Sequence, residues 1–596
     1  MMETPTTFVR VASLRDLKNG MKVVQLGRRS VLLVRHQGRV YATDPRCPHM
    51  GFPLNRGSVA EGILTCHWHH ARFELCAGGT FDLFADDVRV YPIQVHGEEI
   101  WLDPSPQRDE VAYQKGRLKG GLEQTILLVL AKAVLSLNDH GVEASEVLRG
   151  GGVFGAAGRD AGWRDGLTIL TAMGNLLPRL SEEDRPLALY HGLVHVAGNV
   201  AGQPPHFATG PLPTGDLEPA RLKPWLRQFA EVRDQGGVER VMLTALELGQ
   251  GSAELADMLF SAVTDHSYLD GGHSIDFVNK AFELLDVIGW QEAERILPSL
   301  VPALTAATRM EETSSWRHPV DPMAILEPIF AELLGGRLTG DVHRSGLPKD
   351  AFPKDAFDAL VITLLGDDPR ASAEGLVQTL RDGAGLTDVS LALSYAAALR
   401  VARFHTANEF SDWIAVLHTF TSANATHQLL KRAPSLEGAR GLWHAAMHLY
   451  LNRFLNAPAA RLPDDETVAD LPAEAEALLE RLLELTDERQ RVEEAAAVSY
   501  RYLRLGHPDT GLVRTLAHTL LREDGEFHSY QLLEAGVQLY HELNTHRPDL
   551  APDVLVAVAR YLAGHAPTDR ATTQTYRIAL RLHAGENLDK LDKEDR

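Results

Sequence analysis

Cysteine is scarce in this chain: Cys47, Cys66 and Cys76 are the only three among 596 residues. So few thiols exclude a disulfide-stapled secreted scaffold and fit a reducing cytoplasm. Basic side chains are also outnumbered, 59 Lys and Arg against 80 Asp and Glu, for a net charge of −21. An acidic surface repels phosphate backbones, which argues against a nucleic-acid partner. Long apolar runs are missing; the most apolar segment, 125–137, is short for a membrane span and carries Lys132. The opening Met-Met-Glu-Thr-Pro-Thr-Thr has neither the basic stretch nor the apolar stretch of a signal peptide. No membrane partner is expected, and the cytoplasm is the expected location. The glycine run 150–155 lacks both a preceding strand and a following Lys-Ser/Thr, so it reads as a helix-breaking loop, not a phosphate cradle. No Ser/His/Asp order with a nucleophile elbow stands out. At this length several folding units are the default.

What is present is concentrated near the start. Cys47-Pro48-His49 and Cys66-His67-Trp68-His69 bring two thiolates and two imidazoles into two short loops. Pro48 stiffens the first loop, and Gly51 permits backbone amides to approach a bound group. A Cys₂His₂ zinc site uses the same atoms, but the first pair is too close for an ordinary finger and no recognition helix follows. The stretches Cys47-Pro48-His49-Met50-Gly51-Phe52-Pro53-Leu54 and Cys66-His67-Trp68-His69-His70-Ala71-Arg72-Phe73 resemble the two cluster-binding loops of Rieske domains. Gly78-Gly79-Thr80-Phe81-Asp82 resembles the glycine turn that closes the lobe.

The resemblance implies a [2Fe–2S] cluster with Cys47 and Cys66 on one iron and His49 and His69 on the other, and hence electron transfer. High-potential Rieske proteins carry two further loop cysteines; Phe52 and Trp68 stand in their place. The chain is thus similar to Rieske ferredoxins and oxygenase-type domains, toward the lower end of a range of roughly −150 to +300 mV. His70 stands where the family usually has glycine. His67, His69 and His70 compete as donors, and His69 has the family spacing. Short β-rich runs at 22–26, 30–34, 40–42, 88–91 and 100–102 predict a small antiparallel β fold over residues 1–104.

After the Asp103-Pro104-Ser105-Pro106 stretch the texture changes. Residues 105–120 read as a linker, and beyond it Ala/Leu/Glu/Arg-rich segments repeat every 3.6 residues. Helices are expected at 122–137, 167–180, 186–200, 238–248 and 275–288, and then from 390 to 564 in eight further segments. The expected fold is therefore multidomain: the β module, then a large all-α, solenoid-like region. A polar stretch at 335–354 divides that region into 121–340 and 341–590, with a charged tail at 591–596. One faint echo occurs, Asp265-His266-Ser267-Tyr268 against Phe527-His528-Ser529-Tyr530.

His191 and His195, and likewise His444 and His448, lie four apart on apolar helices and so share a face. Buried imidazoles need partners. Either these four histidines form a second metal site, such as a non-haem iron, or they hydrogen-bond within the helical core. His266, His273, His405, His418 and His427 sit in similar company. No Glu-x-x-His bundle motif and no Asp-x-x-His-x-x-x-x-His segment of ring-hydroxylating oxygenases appears, so no catalytic residue is assigned. Two functions follow. The chain is an oxidoreductase passing electrons from the cluster to a site in its helical region, where a small molecule reacts, or it is a ferredoxin or redox sensor fused to a protein-binding scaffold. Without a flavin or nicotinamide fingerprint, electrons should come from a redox partner protein.

Overall fold

The computed structural model describes residues 8–27, 29–105, 108–313, 319–336, 352–586 and 588. The expected divide at 335–354 and the charged tail lie almost wholly outside these residues. By contacts the chain forms two compact units, residues 1–143 with 574–596, and residues 144–573.

The first unit is built on three three-stranded antiparallel sheets. β1 (Val9–Ser13), β9 (Glu99–Leu102) and β8 (Ile93–His96) form one, in that order; β2 (Met21–Leu26), β3 (Arg29–His36) and β4 (Arg39–Thr43) form the second. β5 (Ser58–Ala60), β6 (Ile63–Thr65) and β7 (Arg72–Glu74) form the third. In β3, Val31 and Leu33 enter one hydrophobic cluster while Leu32 and Val34 enter another. A strand covered on both faces needs an unbroken apolar run, and 31–34 supplies it. The run 88–91 makes a single bridge, Val90 with Thr43, because its amides pair irregularly with Gly78 and Ala42 carbonyls.

The expected linker is largely helical. Asp109 accepts a hydrogen bond from the Ala112 amide and starts a helix at Glu110–Gln124. That helix ends at Thr125, in the left-handed region at φ 54°, and a second runs Leu127–Asp139. The single helix expected at 122–137 is thus two, folded against each other where Gly121 meets Leu130.

Among the described residues of the second unit the regular elements are all helices. The glycine run expected as a loop lies inside the helix Ala144–Ala157. A Cβ at Gly151 would stand 2.6 Å from Leu193 Cδ2, and one at Gly155 2.7 Å from Leu167 Cδ2. The glycines are there so that this helix can approach its neighbours, and tertiary packing overrides their poor helix propensity. Helices remote in sequence pack together: Asp165–Leu176 against Phe527–His546, and His273–Ile288 against Phe410–Arg432. A one-dimensional solenoid has contacts only between neighbouring repeats. This multi-helix array interleaves segments from both sides of position 340. No helix among the described residues is long and apolar enough to cross a membrane.

Candidate functional site

The two Cys/His loops meet in the first unit. The first follows β4 and is closed by Cys47 N–H donating to the Phe52 carbonyl and Gly51 N–H to the Cys47 carbonyl, both 2.8 Å. Gly51 sits at φ 80°, and a Cβ there would meet the Glu586 carbonyl oxygen at 3.3 Å. The second loop joins β6 to β7, with Cys66 N–H donating to the Ala71 carbonyl at 2.8 Å. The downstream strand is clamped by Asp82, which accepts from the Arg72 amide and guanidinium.

Cys47 and Cys66 are buried and their thiols contact each other; Cys76 is exposed. The Cys47 thiol next to it, and the Trp68 and His69 amides, hold Cys66 below the ordinary thiol range, whereas Cys47 is pushed up. The His49 and Met50 amides point at the Cys47 sulfur in the same way. The rings of His49 and His69 lie 4.9 Å apart, centroid to centroid. Burial, then the His69 and Lys132 charges, lower His49 to about 4, so its imidazole is neutral at pH 7. Its Nδ1 is buried without a hydrogen-bond partner.

The three competing histidines separate by geometry. His69 faces His49; His67 Nε2 is hydrogen-bonded to Ser58 Oγ at 2.9 Å. His70 adopts φ 61°, the left-handed conformation that glycine takes without strain. Phe52 and Trp68 lie side by side, ring centroids 6.1 Å apart. An aromatic contact therefore stands where the high-potential branch has its extra cysteines.

Lys132, to which the sequence reading gave no role at the site, contacts the first Cys/His loop. Its Nζ donates to the Pro48 carbonyl at 2.6 Å and to Asp86 at 2.9 Å, tying the helix Leu127–Asp139 to the first ligand loop. Arg117 reaches the same carboxylate at 2.7 Å. Burial pushes Asp86 up, but Lys132 and Arg117 outweigh it and hold the carboxyl below its usual range. The available signal was a single cation in a mostly apolar helix.

The paired histidines of the second unit are not gathered into one cluster. His191 accepts from the Tyr530 hydroxyl at 2.8 Å and donates to the Leu521 carbonyl at 2.9 Å, with both nitrogens used. His195 lies edge-on to the Tyr530 ring. His444 pairs with Ser267 Oγ and the Thr264 carbonyl, each at 3.1 Å. His448 lies on the Tyr268 ring, centroids 3.7 Å apart. Each His-Ser-Tyr echo thus receives one histidine pair. Burial lowers His191 and His444 to about 4, keeping both imidazoles neutral.

Comparison with known proteins points to the same stretch. The family model described as Rieske [2Fe-2S] domain matches residues 7–92, and no family model matches the remainder. Apoptosis-inducing factor 3 of Homo sapiens is 34% identical over 99 residues, 16% of each chain. The ferredoxin component of the alkene monooxygenase system of Xanthobacter autotrophicus is 33% identical over 107 residues, 17% of this chain and 88% of that one. Among solved structures, the ferredoxin of carbazole 1,9a-dioxygenase from Nocardioides aromaticivorans is 33% identical, covering 17% of this chain and all of that one, with a TM-score of 0.16. The chain spans about a sixth of the human relative's length and nearly all of the ferredoxin's.

Proposed function

This chain belongs to the Rieske [2Fe-2S] family through its N-terminal module, and from that premise we propose that it is an electron-transfer protein in which Cys47, Cys66, His49 and His69 hold the cluster. When bound, such a cluster accepts and returns one electron at a time. The carrying observation is the donor set on the two loops: two buried touching thiols, and two imidazoles with ring centroids 4.9 Å apart, one with a buried, unpartnered ring nitrogen. The chain's own residues prepare that place. Amides of 49, 50, 68 and 69 point at the sulfurs, Phe84 covers His49 with ring centroids 4.8 Å apart, and Lys132 braces the loop.

Electrons reach the module from a separate redox protein in the cytoplasm and pass to an acceptor site in the helical region, where a small molecule reacts. A non-haem iron in that region belongs to this reading. Relatives named as ferredoxin components of oxidation systems support the first half of it. The second reading, a ferredoxin carried on a helical scaffold, draws on those relatives' matching the module alone.

The test is anaerobic reconstitution with iron and sulfide. Wild type, His67→Ala and His70→Ala should take up at least the two irons of the cluster and give the visible and EPR signatures of a Rieske centre. His69→Ala should lose them. A His69→Ala protein with undiminished colour and signal, or a colourless wild type, would overturn the assignment.

A further inference from the structure

We propose that His273, His418 and His528 form a three-imidazole site for a divalent first-row transition-metal ion within the helical unit. The three come from separate elements. His273 opens the helix His273–Ile288 after a loop with Asp270, Gly271 and Gly272 all at positive φ. His418 lies mid-helix in Phe410–Arg432, and His528 is in the first turn of Phe527–His546. No two of their ligand nitrogens need be more than 4.8 Å apart, and among the described residues no other three such side chains converge as closely. The Nε2 atoms of His418 and His528 face each other at 2.8 Å.

Two ring nitrogens at that separation cannot both carry hydrogens. On one tetrahedral ion, with metal–nitrogen bonds of about 2.0–2.1 Å, two nitrogens lie about 3.3 Å apart. The His418–His528 pair would open by about half an ångström to reach that spacing. His273 completes the face, its ring centroid 4.4 Å from that of His418 and 5.7 Å from that of His528.

The surroundings supply what a metal-binding imidazole needs. Glu526 Oε2 accepts from His528 Nδ1–H at 2.8 Å, which leaves Nε2 as the lone-pair nitrogen pointing into the cluster. The carboxylate is itself fixed, accepting from the His528 amide, Ser529 Oγ and the Tyr561 hydroxyl at 2.9–3.0 Å. Phe277 and Phe527 stack around His273, with centroids 5.5 and 5.6 Å away. Three imidazoles with a carboxylate behind one of them suit zinc, iron, cobalt or nickel, and leave positions open for a water or a substrate. Beside Glu526 lies a cavity of about 150 Å³ lined by Glu523, Asp524, Ser529 and Thr568 among others. The metal site stands whether or not electrons from the Rieske module reach it.

The experiment loads the full-length, cluster-containing protein with zinc, dialyses it, and measures zinc per chain and zinc X-ray absorption. One zinc per chain in a nitrogen environment is expected, with the cluster spectrum unchanged. His418→Ala and His528→Ala should lose it, and Glu526→Gln should bind about 10–100-fold more weakly. Absence of retained zinc in wild type, equal zinc in all variants, or sulfur ligation at the absorption edge would each overturn the proposal. Should the alanine variants fail to fold, the wild-type absorption and the Glu526→Gln affinity decide it.

Discussion

Lys132 shows how one side chain links a helix to a ligand loop. The Pro48 carbonyl and Asp86 both accept from its ammonium, and the positive charge bears on His49. A cation beside a centre that gains negative charge on reduction favours the reduced form. Lys132→Met should therefore lower the module's reduction potential, by tens of millivolts if the effective dielectric constant is about 20. Redox titration followed by EPR checks this, and an unchanged or higher potential would count against it. His70 is the converse case. Its left-handed backbone costs about 1–2 kcal/mol, and the loop geometry imposes that conformation on whatever residue stands there.

Among the elements, the helix Ala144–Ala157 teaches most. Its glycines read as a break in one dimension, yet in three they are contact points. Gly155 faces Leu167 and Val196 at distances no Cβ tolerates without a shift. Gly155→Val should therefore destabilise the protein by about 1–3 kcal/mol through overpacking. Denaturant unfolding measures it, and a neutral effect would show that the neighbouring helices give way. The linker expected at 105–120 erred for a related reason: prolines at 104 and 106 mark only its start, and the Asp109 cap begins a helix at once. Strands β5, β6 and β7, of three residues each, are too short to show alternation.

At the scale of the whole molecule, a buried ionic network joins helices far apart in the chain. Lys280, 2% exposed, donates to Glu283 at 2.8 Å and to Glu534 at 2.5 Å, while Asn175 bridges the same two carboxylates. Lys280→Met strands the buried Glu534 and the partly buried Glu283 and should cost about 3–5 kcal/mol, read by chemical denaturation. Nearby, burial pushes the Asp276 carboxyl up to about 7, against the pull of Lys280. A carboxyl raised in the folded state holds a proton that the unfolded chain releases above its ordinary value of 3.8. Its contribution is full below about pH 4 and is lost as pH rises to about 7. Wild-type stability relative to Asp276→Asn should therefore fall across that window; a flat difference would show that Asp276 titrates normally.

The sequence by itself determined the Rieske module, the two Cys/His loops here proposed to hold its cluster, and the helical character of the rest. Those features rest on residue types at short fixed spacings, and ligand chemistry and the 3.6-residue period are both local. Tertiary structure alone decided which histidines converge. His191 and His444 look like ligands on a helix face, yet core hydroxyls and carbonyls take up their nitrogens. His418 and His528, 110 positions apart, meet only because two long helices cross. No local pattern encodes such a meeting, since it depends on how apolar faces from across the chain are buried together.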